Sequence, residues 1–264
     1  LGDVILIKPV LELLSKHEKN VNIWLVSSIK HKEIFEGIPN VNFIGVDLKL
    51  QHKSIFKLLR FINLETKGID FDYLYDFHDV IRTKILRILL KSRFVEFKVI
   101  KKERLLKKKI IRKKISLKKL KHTTERYREC LSCHFPRILN IPLERSITKI
   151  VSSKKKIGIA PFAAHSSKIW PIENYHPIIS KFKDFEFILF AFGEKEITAA
   201  NKVIAEHKNC SLVSPNISII EQMNLINEFD VFISMDSANM HLGCLTSTTV
   251  ISIWGPTHYY LGFG

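Results

Sequence analysis

Cysteine is scarce in this chain, and two other features are missing. The four cysteines among 264 residues show no framework of a disulfide-rich secreted domain, so the sequence favours a reducing compartment. No uninterrupted apolar run reaches the roughly 18 residues that a membrane span requires, and no short-period repeat is present. With 46% apolar residues, the composition is instead typical of a globular protein that buries one large core or two modest ones.

Metal-ligand patterns are also missing, with one partial exception. Cys130 and Cys133 have the spacing of a zinc knuckle, but no second Cys or Cys/His pair follows at a workable distance. A coincidence of helical spacing is the simpler interpretation. We therefore expect no metal ion at this pair of cysteines.

Acidic residues are outnumbered by basic ones, 26 against 42, which gives a formal charge of +16. The excess is concentrated in residues 101–121, where Glu103 is the only acid. Leucine and isoleucine recur there at spacings of three to five, which predicts a basic amphipathic helix or helical hairpin. Such a segment attracts anionic lipid, a phosphorylated glycolipid or nucleic acid, or is merely a solvated lysine-rich face. Aromatic residues are absent from it, which argues against nucleic acid.

Helical and strand-like patterns alternate along the chain, which predicts α/β structure with mostly parallel sheets. In the first half we expect helices at 4–14, 54–62 and 81–90 and strands at 21–27, 41–46, 71–77 and 94–100. A linker is expected at 140–154. In the second half we expect strands at 156–162, 185–192 and 211–213 and helices at 171–182, 199–207 and 219–229. The division predicts two domains, residues 1–150 and 151–264, with the ligand in the cleft between them.

The most informative stretch is 231–257, which reads as a β-α-β unit. An apolar run ends at Asp236, small residues and a short helix follow, and a second apolar run leads into Gly255-Pro-Thr257. In open α/β sheets the carboxyl end of a strand, followed by a helix with unpaired N–H groups, suits an anion. A phosphate-bearing ligand is therefore the first expectation.

Polar residues follow several strands of the second half. Lys168, Glu194 or Glu196, Asp236 and His241 all fall at the carboxyl ends of predicted strands, the edge at which such folds bind ligands. Each of these residues could instead serve the fold and not a ligand. A glutamate at the start of a helix can simply cap it, and His241 is equally compatible with phosphate binding and with packing.

Two carboxylates in the first half of the chain can also have either a structural or a functional role. Asp3 follows a glycine before a predicted helix, so it is either an N-cap or a general base. Asp79 and Arg82 follow a predicted strand and either offer polar groups at the edge of the sheet or serve as a cap and a solvated cation.

Four motifs together resemble glycosyltransferase family 9, the heptosyltransferases of lipopolysaccharide core assembly. They are Leu1-Gly2-Asp3, Lys168-x-Trp170-Pro171, Asp236-Ser-Ala-x-x-His241 and Gly255-Pro-Thr257, and they keep the order and spacing of the family over nearly the whole chain. The segments Asp76-Phe-His-Asp79-Val-Ile-Arg82 and His122-Thr-Thr-Glu-Arg-Tyr127 also look like acceptor-domain segments of that family.

The resemblance implies a GT-B fold, in which two Rossmann-like domains face a central cleft. It also implies a metal-independent, inverting transfer of heptose from an ADP-sugar to a lipid-linked acceptor, with no further cofactor. Asp3 would be the general base. Lys168 and the backbone from Asp236 through Ser237 to Ala238 would hold the diphosphate, assisted by His241.

The remaining assignments rest on the same resemblance. Glu194 or Glu196 would take the ribose, and Arg82, with Asp79 beside it, would face the anionic acceptor. The family often has Gly at Ala238 and Gly or Thr at Ala163 and Ala164, so hydroxyl contacts to phosphate are fewer here. A strand is expected before Leu1 and a segment beyond Gly264, which suggests a fragment of a longer product.

The sequence therefore predicts a cytoplasmic heptosyltransferase bound peripherally to the cytoplasmic membrane through residues 101–121. Two alternatives remain at this stage. One is a non-catalytic, basic GT-B-like protein that binds anionic membrane or nucleic acid, and the other is a GT-B transferase that uses another nucleotide sugar, such as a UDP-sugar.

Overall fold

The computed structural model of the chain describes residues 1–112, 116, 118–143 and 155–264. The polypeptide divides into two compact units. The N-terminal unit is Ile7–Leu143, and the C-terminal unit combines Leu1–Leu6 with Glu144–Gly264. The predicted domain boundary after residue 150, and most of the predicted linker, lie outside the described residues.

The described part of the N-terminal unit alternates helices with strands, as the sequence predicts. Its helices are α1 (Gly2–His17, whose first residues belong to the other unit), α2 (Lys32–Phe35), α3 (Ile55–Glu65), α4 (Ile81–Leu89), α5 (Arg104–Ile111) and α6 (Thr123–Leu131). Its strands are β1 (Ile23–Ser28), β2 (Val41–Val46), β3 (Phe71–Asp76) and β4 (Phe94–Val99).

These four strands form two separate parallel pairs, β1 with β2 and β3 with β4. The pairs touch through an edge-on contact of the Trp24 and Phe71 rings, whose centroids lie 5.5 Å apart. Helix α3 begins where Ser54 accepts a hydrogen bond from the Lys57 amide at 3.2 Å. It buries Leu58 and Ile62 in a small core with Val46 and Leu90, so this unit stabilises its β-α-β segments by local packing.

The described part of the C-terminal unit contains a single parallel sheet and four further α-helices. The strands are β5 (Lys156–Ala160), β6 (Glu186–Leu189), β7 (Cys210–Leu212), β8 (Val231–Met235) and β9 (Thr249–Ile253), and the helices are α7 (His176–Lys181), α8 (Glu194–Glu206), α9 (Ile219–Asn227) and α10 (Ala238–Cys244). Strands β5 and β8 are almost completely buried, which explains why both read as continuous apolar runs rather than alternating ones.

The strand order in this sheet is β7-β6-β5-β8-β9. The chain builds outwards from β5 through β6 to β7, then returns to the other side of β5 with β8 and continues outwards to β9. The direction of winding therefore reverses between β5 and β8. Open α/β sheets bind ligands at the carboxyl ends of the strands next to such a reversal.

Aromatic and aliphatic side chains fill both faces of this sheet. Tyr175, Ile179 and Phe187 are fully buried on one side of the core, while the rings of Phe190 and Phe232 meet edge-on at 5.2 Å. This packing holds the loops after β5 and β8 on a rigid base.

Several predicted boundaries are wrong. Helix α1 begins at Gly2, so Asp3 lies in its first turn and is not the N-cap. Pro171 does not open an α-helix, because a 3₁₀ turn at Ile172–Tyr175 comes first and α7 begins only at His176. Helix α8 begins at Glu194 rather than near residue 199.

The basic segment is helical only in part. Helix α5 ends at Ile111, residues 118–121 are not helical, and residues 113–115 and 117 lie outside the described part of the chain. Among the described residues, no helix combines the length and the apolar character needed to cross a bilayer.

Candidate active site

Asp236 is the point at which three distant segments of the C-terminal unit meet. Its side chain follows β8 and is buried. One carboxylate oxygen, Oδ2, accepts a hydrogen bond from the Lys168 ammonium at 2.6 Å and another from the Thr257 hydroxyl at 2.6 Å. The Asp236 amide donates to the Ile253 carbonyl at 3.1 Å, which ties the end of β8 to the end of β9. Lys168 therefore stands at the reversal point of the sheet, held by a buried carboxylate.

A glycine allows the loops after β5 and β9 to approach each other closely. A Cβ atom added at Gly255 would lie 2.9 Å from the Ser167 carbonyl oxygen and 3.4 Å from the Lys168 Cα. A larger residue at this position would push the two loops apart and displace Lys168. The motifs that contain Lys168, Asp236 and Thr257, remote in the sequence, therefore form one structure.

The Ser237 hydroxyl lacks a partner in the described part of the chain. Its oxygen is buried and makes no hydrogen bond there, although Ser237 is the residue before α10, where serine usually caps the helix. A buried hydroxyl without a partner costs about 1–3 kcal/mol. Together with the backbone amides that begin α10, this hydroxyl offers donors to an acceptor-rich ligand.

His241 lies in α10 and is buried. A Cβ atom added at Gly2 would lie 3.0 Å from the His241 Cδ2 atom and 3.4 Å from Nε2, so the first turn of α1 packs directly against the imidazole. Asp3, the next residue, is exposed. The contact places the two residues predicted as general base and phosphate ligand in neighbouring positions of the C-terminal unit.

The two glutamates predicted to bind ribose have different environments. Glu196 accepts a hydrogen bond from the Phe192 amide at 2.9 Å, so its carboxylate is used to fix the loop that leads into α8. Glu194 is the first residue of α8 and is exposed. The backbone turns into the helix at Gly193, whose φ of 84° suits glycine.

In the N-terminal unit, Asp79 is surrounded by cations. Its carboxylate lies 3.6 Å from the Arg104 guanidinium, 3.7 Å from the Lys84 ammonium and 3.9 Å from the Arg87 guanidinium. Val80, not Asp79, is the residue that precedes α4, so the interpretation of Asp79 as its cap is wrong. Arg82 is half-buried in α4 and forms no ion pair with the described residues.

A buried aspartate orders the loop between β3 and α4. Asp76 accepts hydrogen bonds from the amides of His78 and Asp79 at 2.9 and 2.8 Å, and Arg87 binds its other oxygen at 3.0 Å. Of the predicted acceptor residues, Asp79 thus belongs to this fixed turn, and Arg82 follows it in the first turn of α4.

Arg126 is a candidate functional residue that the sequence analysis did not single out. Its side chain is 4% exposed and lies 3.2 Å from the Glu103 carboxylate. Within the described residues, however, its Nε and Nη2 atoms make no hydrogen bond. The motif His122-Thr-Thr-Glu-Arg-Tyr127 contains it. The feature that marks Arg126 is the burial of its charged guanidinium group. The sequence alone does not show which side chains are buried.

The possible zinc knuckle is not formed. Cys133 Sγ lies 3.2 Å from the Cys130 carbonyl oxygen as part of the end of α6, and burial raises the pKa of the Cys130 thiol to about 12, which disfavours the thiolate that zinc requires. Neither cysteine belongs to a group of three potential ligands within the described residues.

The fold is that of glycosyltransferases of the GT-B type. The solved structures to which the chain is similar include a family 9 glycosyltransferase from Veillonella parvula, with a TM-score of 0.78, 20% identity and coverage of 100% of this chain and 81% of that one. The E. coli heptosyltransferase WaaC with ADP gives a TM-score of 0.76 and 16% identity, with coverage of 100% and 87%.

The model of glycosyltransferase family 9 (heptosyltransferase) matches residues 106–260, and the chain belongs to this family. Among curated proteins it is similar to lipooligosaccharide heptosyltransferase 2 from two strains of Campylobacter jejuni. The identities are 23% and 24%, over 98% of this chain and 80% or 79% of those proteins. The predicted family, the fold class and the enzyme class are confirmed, and the chain is an enzyme of a family that builds the lipopolysaccharide or lipooligosaccharide core.

Proposed function

We propose that this enzyme transfers heptose from ADP-heptose to a hydroxyl group of a lipid-linked core acceptor, with inversion at the anomeric carbon. The observation that carries the proposal is the convergence of Lys168, Asp236 and Thr257 at the carboxyl ends of β5, β8 and β9. Family membership supports the sugar, and the names of two E. coli WaaC neighbours, which mention ADP and ADP-2-deoxy-2-fluoro heptose, support the nucleotide.

Charge on the leaving diphosphate must be balanced as the glycosidic bond to it breaks. Lys168 supplies a cation, while the amides of Ser237 and Ala238 and the Ser237 hydroxyl supply donors. The Asp236 amide is not counted among these donors, because it already binds the Ile253 carbonyl. A magnesium ion bound at this place would need a carboxylate ligand such as Asp236. The Asp236 carboxylate instead accepts hydrogen bonds from Lys168 and Thr257. We therefore propose that the lysine and the backbone stabilise the diphosphate without a divalent cation.

The acceptor hydroxyl becomes nucleophilic when Asp3 accepts its proton. The acceptor oxygen then bonds to the anomeric carbon from the side opposite the diphosphate, and ADP leaves with the electron pair of the broken bond. His241, next to the first turn of α1, assists the phosphate. The exposed carboxylate of Glu194 suits the ribose hydroxyls better than that of Glu196, which already binds the Phe192 amide.

Transfer from different nucleotide sugars tests the donor. With a deacylated core acceptor, we expect turnover with ADP-heptose and none above background with UDP-glucose, and NMR of the product should show an inverted anomeric configuration. Turnover restricted to a UDP-sugar, or retention of configuration, would contradict the proposal. Absence of all turnover combined with salt-sensitive RNA binding would favour a non-catalytic binding protein.

We also propose that the enzyme binds peripherally to the cytoplasmic face of the membrane through residues 101–121. Helix α5 combines exposed cations, including Lys108 and Lys109, with exposed apolar side chains, since Leu105 is 77% and Ile111 62% exposed. This combination suits the boundary between anionic head groups and acyl chains. The same surface suits the phosphates of a glycolipid acceptor.

Neutralising two lysines of α5 should weaken membrane binding. Each basic residue near an anionic surface contributes about 1 kcal/mol, so Lys108→Gln/Lys109→Gln is expected to lower the partition coefficient on phosphatidylglycerol vesicles about 30-fold. Co-sedimentation at low salt measures it. The matched variant Lys183→Gln/Lys202→Gln, which removes equal charge from exposed positions of the C-terminal unit, should bind like the unaltered enzyme. Equal weakening by both variants would refute a specific role for α5.

A further inference from the structure

Three potential metal ligands meet on the C-terminal unit, between the first residue of α7 and the end of α8. His176 Nδ1 lies 2.8 Å from His207 Nε2 and 3.3 Å from the Glu206 carboxylate. All three ligand atoms lie within 4.8 Å of one another. Within the described residues, no other set of three His, Cys, Asp or Glu side chains is this close.

Two of the three distances between these atoms are close to those in the coordination sphere of a small divalent metal. With bonds of about 2.0–2.2 Å to nitrogen and oxygen, neighbouring ligands around a tetrahedral zinc ion lie roughly 3.3 Å apart. The His176–Glu206 distance already has this value. The two imidazole nitrogens need to separate by only about 0.5 Å, which a small rotation of the rings provides.

The ligand set also selects the kind of metal. Two imidazoles and one carboxylate suit zinc and neighbouring transition metals, whereas magnesium and calcium prefer oxygen ligands alone. Both histidines are half-buried and Glu206 is exposed, so the group is reached from solvent and a fourth position is open to water.

This group is distinct from the proposed donor site. Glu206 and His207 stand where α8 ends and the chain turns towards the amino end of β7, whereas Lys168 and Asp236 follow the carboxyl ends of β5 and β8. A metal here would join the start of α7 to the end of α8. Its role would be structural, because none of its ligands belongs to the residues assigned to chemistry.

We propose that His176, Glu206 and His207 form a zinc-binding site that clamps the start of α7 to the end of α8. Zinc replaces the hydrogen bond between the two imidazoles with two metal–nitrogen bonds, and the ring that donated this hydrogen bond shifts its proton to its other nitrogen. Glu206 completes three protein ligands. Binding to the folded state alone raises the temperature of unfolding.

Calorimetric titration of the metal-free, tag-free enzyme with zinc chloride tests the site. We expect one saturable site per chain, a higher Tm with zinc, and an intense visible absorption spectrum with cobalt(II), typical of four-coordinate geometry. His176→Ala/His207→Ala should weaken zinc binding at least 100-fold and abolish the cobalt spectrum. The control His17→Ala/His31→Ala, which removes two histidines from the N-terminal unit, should bind zinc like the unaltered enzyme.

Glu206→Gln provides a second variant, chosen because the exposed side chain contributes little to folding. It should weaken zinc binding about tenfold and leave the Tm of the metal-free enzyme unchanged. Absence of a saturable zinc site, or equal zinc affinity in the double histidine variant and the control, would overturn the proposal. The imidazoles would then form only a hydrogen-bonded pair.

Discussion

Asp3→Asn is expected to lower kcat about 10²–10⁴-fold while the affinity for ADP stays unchanged. Asparagine keeps the size of the side chain but cannot accept the acceptor's proton, and general-base catalysis typically contributes a factor of this size. Asp3 is exposed in the first turn of α1, so the substitution should leave folding intact. Steady-state transfer rates and calorimetry with ADP, on the same preparations, measure the two effects separately.

Asp72 provides a matched control for this substitution. It is an exposed aspartate of the N-terminal unit, and Asp72→Asn should retain full turnover. An Asp3→Asn enzyme with normal kcat would remove the proposed base. A variant that loses ADP affinity and turnover together would assign Asp3 to donor binding instead.

Lys168→Ala should have the second-largest effect, a loss of roughly 10- to 150-fold in ADP affinity. Hydrogen bonds to charged groups contribute about 1.5–3 kcal/mol, and this range converts to those factors. The substitution also leaves the buried Asp236 carboxylate without its cation, so a negative charge then faces the diphosphate. Calorimetric titration with ADP measures the change.

Lys195→Ala controls for the loss of a positive charge in the same unit, because Lys195 is exposed in the first turn of α8. It should bind ADP normally. Lys168→Arg should recover part of the affinity, since it restores a cation next to Asp236. If Lys168→Ala binds ADP as well as the control, the lysine does not hold the diphosphate.

Much of the α/β architecture was predictable because parallel strands that are buried on both faces have continuous apolar sequences. The apolar runs of β5 and β8, and the polar residues that follow them, predicted the sheet and its ligand-binding edge. The positions of Lys168 and Asp236 after neighbouring strands followed from the same argument, although their direct ion pair did not.

What the sequence did not reveal depends on contacts between distant segments. Thr257 was visible in its motif, but only the fold shows its hydroxyl bound to Asp236. The burial of Arg126 and the meeting of His176 with Glu206 and His207 likewise depend on tertiary packing. Helix starts were misplaced at Gly2, Glu194 and His176, because local propensity at glycine and proline was outweighed by the packing of whole helices.

The central pairing of β5 with β8 makes the spacing of two site residues independent of the chain between them. Strands β5 and β8 are hydrogen-bonded neighbours, although β6, β7 and the helices α7, α8 and α9 lie between them in the chain. The separation of Lys168 from Asp236 is therefore set by the pairing of these two strands and not by the length of the intervening chain. Loops between α7 and α9 can differ in length without changing this separation.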